Sequence, residues 1–137
     1  MFSKILLSVD GSEHSARAAE KVGEIAESLG SEVLAFNVRE MLPVRGGAYD
    51  VKLGEEEKDL AAEVASQLKA KGVKATSLRA QEFYGLTPKV IVDAAEKFGA
   101  DVIVMGSRGR SDLPGLLLGS VTHKVLSMTR VPVLVIR

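Results

Sequence analysis

Four glycines and two arginines crowd into one stretch, GSRGRSDLPGLLLGSVTHKVL, at residues 106–126. Gly106 and Gly109 enclose Arg108, Arg110 follows at once, and nine residues separate Gly109 from the pair Gly119-Ser120. Glycine lets backbone approach a ligand closely and permits turns that other residues resist. Such turns expose main-chain amides that form concave anion sites. Gly119-Ser120 stands where a helix is expected to begin, and a helix start offers free N–H groups and the positive end of its dipole to a phosphate. Arginine adds forked donors matched to the same group. The chemistry these residues suit is capture of a phosphate chain, and two separate glycine pairs match a polyphosphate better than a single phosphate. The same residues also fit a blander pattern, with glycines serving a tight turn and helix packing and arginines lying in solvent.

Other chemistry finds little support. There is no G-x-x-x-x-G-K-(S/T) phosphate loop and no G-x-G-x-x-G after the first strand. A receiver domain needs a phosphoacceptor Asp at the end of the third strand, where this chain has Arg79, Ala80 and Gln81. A flavodoxin needs a hydroxyl-rich first loop and aromatic walls, and the chain has no Trp. His14 and His123 are the only histidines, and both are read as surface or partly packed. The run EEEKD at 55–59 reads as a solvated helix start favoured by the dipole rather than a metal site. No residue is assigned as a metal ligand. Asp10, in SVDGS, suits either a ligand contact or a turn and helix cap.

The elements that must position these residues follow from the apolar pattern. Short runs rich in Val, Ile and Leu at 4–9, 31–38, 73–79, 101–105 and 131–136 read as buried strands. Helices are expected at 13–29, with Ser12 as cap and Gly30 as stop, at 55–71, from the Thr87-Pro88 pair to Gly99, and at 120–128. In the last, Val121, Val125 and Leu126 are expected to face inward. Residues 39–54 carry no clear pattern and read as a long loop. Strand–helix alternation predicts a single-domain α/β fold over 1–137, an open five-stranded parallel sheet in the order 3-2-1-4-5 with helices on both faces. In such sheets ligands bind beyond the carboxyl ends of the strands, where the strand order reverses. That crevice lies between the first and fourth strands, which end in SVDGS and MGSRG.

Composition sets the outer limits. The 137 residues suit one domain, and 46% hydrophobic content supports a core. Eighteen basic and 18 acidic side chains cancel and no basic run exceeds two residues, so no nucleic-acid partner is expected. Cysteine is absent, which suits a reducing compartment. No signal-peptide or membrane-spanning apolar run is read, so no membrane partner and a cytoplasmic location are expected.

The spacing G-x2-G-x9-G-(S/T), the flanking ADVIVMGSRGRSDLPGLLLGSVTHKVL, the terminal VPVLVIR and the early KILLSVDGSEHS together resemble the universal stress protein family over essentially the whole chain. The glycine signature resembles that of its ATP-binding branch, with an adenine nucleotide alpha hydrolase-like fold. The resemblance implies that Asp10 contacts the nucleoside, and that Ser8, Val9 and Val38, the last closing the second strand, line the adenine and ribose pocket. It places Met105, Gly106, Arg108, Gly109 and Arg110 around ribose and phosphates. It assigns the outer phosphates to Gly119, Ser120, Val121 and Thr122, with Mg or Mn accompanying ATP. Ser8 stands where many members carry proline, and Pro114 is a mild variant. Two functions follow as expectations: an ATP-binding regulatory or stress-response module, or a slow ATPase or nucleotidyl enzyme at the same site. VPVLVI, uncharged until Arg137, reads as an edge strand with Pro132 near its start. The family resemblance implies a homodimer through it.

Overall fold

In chain order the elements are β1 (Lys4–Ser8), α1 (Glu13–Leu29), β2 (Glu32–Pro43), β3 (Tyr49–Asp50), α2 (Leu60–Ala70), β4 (Lys74–Phe83), α3 (Thr87–Phe98), β5 (Val102–Gly106), α4 (Ser120–Met128) and β6 (Val133–Ile136). The structure is a computed structural model and describes residues 1–43, 45, 49–50, 58–109 and 114–137. Arg110 and the acidic residues at 55–57 lie outside the described residues.

β1 is the axis of the sheet. Ile5, Leu6 and Leu7 are 0% exposed, so both faces of this strand are covered, as an all-apolar run in a parallel sheet demands. β1 pairs in parallel with β2, Ser8 opposite Phe36, and with β5, Leu7 opposite Val104. β4 pairs with the outer side of β2 and β6 with the outer side of β5. The five parallel strands therefore stand in the order β4-β2-β1-β5-β6, the expected 3-2-1-4-5. Alternate side chains divide the core into two layers. Ile5, Leu7, Val33, Ala35 and Val104 pack with Ala18, Val22, Ala61 and Leu68 of α1 and α2. Leu6, Phe36, Ile103 and Met105 pack with Ile91, Ala95 and Val125 of α3 and α4.

Helix ends follow the expected chemistry where a polar cap is free to act. Ser12 caps α1 by accepting the Ser15 N–H at 3.1 Å, and Gly30 closes it at φ +67°. Asp59 caps α2 by accepting the Ala62 N–H at 3.0 Å, so α2 begins several residues later than the expected 55. At α3 the cap position belongs to Leu86, not Thr87. The Thr87 hydroxyl donates instead to Glu40 Oε1 at 2.6 Å.

Glu40 is available because β2 runs on through Pro43, five residues past the expected end at Val38. Ten rungs join it to β4, from Glu32–Lys74 to Met41–Phe83. The long expected loop is therefore partly sheet, and a two-residue β3 pairs antiparallel with the end of β2. The added residues of β2, REMLP, do not continue its β-branched apolar run. Pairing between strands supplies the stability that local pattern lacks. In α4, Val125 is buried and Val121 half-buried, but Leu126 is 40% exposed. The inward stripe includes Thr122 in its place.

Candidate functional site

β1 and β5 lie side by side, so Asp10 and the glycine turn emerge at the same edge of the sheet. The β1–α1 turn is closed by its own side chains. Asp10 Oδ1 accepts the Ser12 N–H at 2.8 Å, and the Asp10 N–H donates to Ser15 Oγ at 3.2 Å. Asp10 thus forms the turn, one of its two expected roles, with one carboxylate oxygen committed to it. Val9 is buried and anchored at both main-chain groups. Its N–H donates to the Phe36 carbonyl at 2.8 Å, and its carbonyl accepts from Asn37 Nδ2 at 2.7 Å. Ser8, the last residue of β1, is half-buried. Val38 does not close its strand. It lies on the part of β2 that overhangs the end of β1, opposite Ala80 of β4.

Gly106 ends β5 directly beneath the first turn of α1. A Cβ there would stand 2.7 Å from His14 Cβ, 2.9 Å from the His14 carbonyl carbon and 3.0 Å from the Ser15 nitrogen. The close approach that requires this glycine is therefore made by the protein's own helix. Beyond it the turn is stitched on several sides. The Ser107 N–H donates to the Ile136 carbonyl at 2.7 Å, and the Gly119 N–H donates to the Ser107 carbonyl at 2.6 Å. Thr122, 3% exposed, donates its hydroxyl to the Gly106 carbonyl at 2.8 Å. Met105 is buried in the α3/α4 layer. Arg108 and Gly109 are half-buried, and Ser120 is exposed.

Two of the expected phosphate donors, the Gly119 amide and the Thr122 hydroxyl, are thus engaged within the protein. What remains is the first turn of α4. Gly119 occupies its cap position and brings no side-chain hydrogen bond. The N–H groups of Val121 and Thr122 have no acceptor within the helix by geometry. Ser12 and Asp59 do this work for α1 and α2. The bare start of α4, with no acidic residue in its first turn, fits a phosphate. Among the described residues no group of three or more His, Asp or Glu side chains is arranged to hold a metal ion. No helix there is long and apolar enough to cross a membrane.

Three contributors escape a motif-based reading. Asn37 ties β2 to the end of β1, and its only sequence signal is a lone amide within an apolar strand run. His14 packs over Gly106, and its Nε2 lies 3.2 Å from Arg108 Nε. Arg79, opposite Asn37 on β4, carries a buried Nε without a hydrogen-bond partner among the described residues. A cleft of about 390 Å³ opens between α1 and α2 beside this turn, lined by Val9, Gly11, Ser12, Leu60 and Val64 among others.

The universal stress protein family profile matches residues 1–137. Universal stress protein MJ0531 of Methanocaldococcus jannaschii is 33% identical over all of this chain and 83% of its own length. Universal stress protein YxiE of Bacillus subtilis is 30% identical over the whole of both chains. Among solved structures, M. jannaschii MJ0577 superposes with a TM-score of 0.81 at 29% identity, covering 99% of this chain and 96% of its own. The Archaeoglobus fulgidus universal stress protein in complex with dAMP gives a TM-score of 0.70 at 25% identity over the full length of both chains. With the expected strand order, the glycine turn and full-length similarity in agreement, this chain belongs to the universal stress protein family.

Proposed function

We propose that residues 1–137 form one nucleotide-binding domain that takes ATP in the crevice between β1 and β5 and acts as a nucleotide-dependent regulatory module in the stress response. The observation that carries this reading is the pair of Val121 and Thr122 amides at the start of α4, held against β5 by the Thr122–Gly106 and Gly119–Ser107 hydrogen bonds. In this reading the Val121 and Thr122 amides, with Ser120, hold the outer phosphates. Arg108, Gly109 and Arg110 flank the chain, and Asp10 faces the ribose with the carboxylate oxygen its own turn leaves over. Ser8, Val9 and Val38 border the base. The Thr122 hydroxyl and Gly106 position the turn rather than touch the ligand. Bound Mg or Mn would neutralise part of the phosphate charge, with ligands drawn from the phosphates themselves. The complex of the A. fulgidus relative with dAMP supports an adenine nucleotide as the ligand class. The absence of cysteine supports a cytoplasmic setting, and the outer position of β6 in the sheet supports a homodimer.

Calorimetric titration of the purified protein with ATP and Mg tests the reading. It predicts saturable binding that is tighter for ATP than for dAMP, because the longer phosphate chain reaches α4. It also predicts turnover of labelled ATP below about one per second, the low end of enzyme rates. Binding of neither nucleotide overturns it, and faster turnover replaces the module with an enzyme.

A further inference from the structure

His14 and Arg17 of α1 meet Arg108 of the glycine turn in a cluster of donors that its own hydrogen bonds do not satisfy. His14 Nδ1 lies 2.8 Å from a terminal nitrogen of Arg17, and His14 Nε2 lies 3.2 Å from Arg108 Nε. A guanidinium only donates. A neutral imidazole has one accepting nitrogen and one N–H, and an imidazolium has none that accepts. At most one of the two contacts is therefore a hydrogen bond, and the other sets donor against donor. Arg17 also donates from Nε to the main-chain oxygen of Arg137 at 3.1 Å, which brings a third arginine to the same place. Among the described residues neither Arg17 nor Arg108 forms an ion pair with an Asp or Glu side chain. These groups line a cleft of about 470 Å³, with Ser107, Leu116 and Leu117 forming other parts of its wall.

Cationic donors converging on a cleft that no Asp or Glu side chain lines call for an oxyanion between them. We propose that His14, Arg17 and Arg108 form a binding site for a phosphate group, on the α1 side of the glycine turn. A tetrahedral phosphate presents several acceptors to two forked guanidinia at once. It also removes the conflict at His14, because the ring N–H that faces a guanidinium gains an acceptor in the anion. The site shares Arg108 with the nucleotide reading, on which it partly rests, but draws its other donors from side chains of α1 and not from the amides of α4. The shared wall at Ser107 and Arg108 leaves two sources for the group, free inorganic phosphate or the end of a nucleotide's phosphate chain.

The test titrates inorganic phosphate into the full-length, nucleotide-free protein and follows the His14 ring nitrogens by ¹⁵N NMR, with His14→Gln identifying the signal. The proposal predicts a saturable shift of the His14 ring nitrogens, absent with sodium chloride at equal ionic strength. Arg17→Gln weakens binding by about tenfold or more, as expected for loss of one charge-assisted hydrogen bond. Arg17→Lys weakens it less, and both variants melt as the parent does because Arg17 is exposed. ATP with Mg then separates the sources. Loss of phosphate binding with the His14 shift retained assigns the site to the nucleotide's own tail. Phosphate binding that persists beside ATP makes it an independent site. A response to phosphate no larger than to chloride, or unchanged binding by Arg17→Gln, overturns the proposal.

Discussion

The hydroxyl of Thr122 donates to the carbonyl of Gly106 at 2.8 Å, and so ties the first turn of α4 to the end of β5. Sixteen residues separate the pair, and both groups are buried. The bond fixes where the bare amides of α4 stand relative to the crevice.

Removing that hydroxyl while keeping its shape is therefore informative. Thr122→Val leaves the Gly106 carbonyl without its partner and destabilises the protein by about 1–3 kcal/mol, read by chemical denaturation. Thr122→Ser keeps the donor and retains most of the stability. A Val variant as stable as the parent shows that the bond is not needed to hold the turn.

Much of this frame is legible in the sequence because the strands are short apolar runs and the helices carry their own caps. Ser12, Gly30 and Gly99 mark ends that the structure keeps. The extension of β2 to Pro43 is not legible. Its stability comes from pairing with β4, and the mixed sequence REMLP carries no alternation to betray it. The glycine spacing correctly marks the turn between β5 and α4, yet spacing alone does not tell a glycine required by a ligand from one required by a helix. Gly106 is of the second kind.

That assignment has a direct consequence. Gly106→Ala places a methyl 2.7 Å from His14 Cβ and 2.9 Å from backbone, so α1 must move. The expected loss is about 1–3 kcal/mol or more, with a fall in melting temperature whether or not nucleotide is present. A variant that keeps its stability and loses only nucleotide binding assigns Gly106 to the ligand instead.

Asn37 supports the crevice from the other side. Asn37→Leu fits an apolar strand position but removes the donor to the Val9 carbonyl, 2.7 Å away. Stability falls by about 1–3 kcal/mol, measured by urea denaturation, even though the variant is the more hydrophobic. A gain in stability shows that the amide contributes nothing to the end of β1.

β6 is an outer strand of the sheet and pairs with β5 alone among the described strands. Pro132 and Ile136 turn their carbonyls toward β5, so Val135, by alternation along the strand, turns its main-chain groups outward. Val135→Pro blocks pairing with a second copy without breaking the β5 ladder. Light scattering is expected to show a dimer for the parent and a monomer for the variant. A dimer that survives the proline places the interface elsewhere.

Thermal unfolding with and without ATP and Mg tests whether the bare start of α4 captures a nucleotide's phosphates. At a ligand concentration about a hundred times the dissociation constant, binding adds roughly 2.7 kcal/mol, so the parent melts at a clearly higher temperature. Gly119→Val, which sets a side chain at the cap position of α4, folds and shows no such shift. A parent indifferent to ATP, or a Gly119→Val variant shifted as far as the parent, contradicts phosphate capture at this turn.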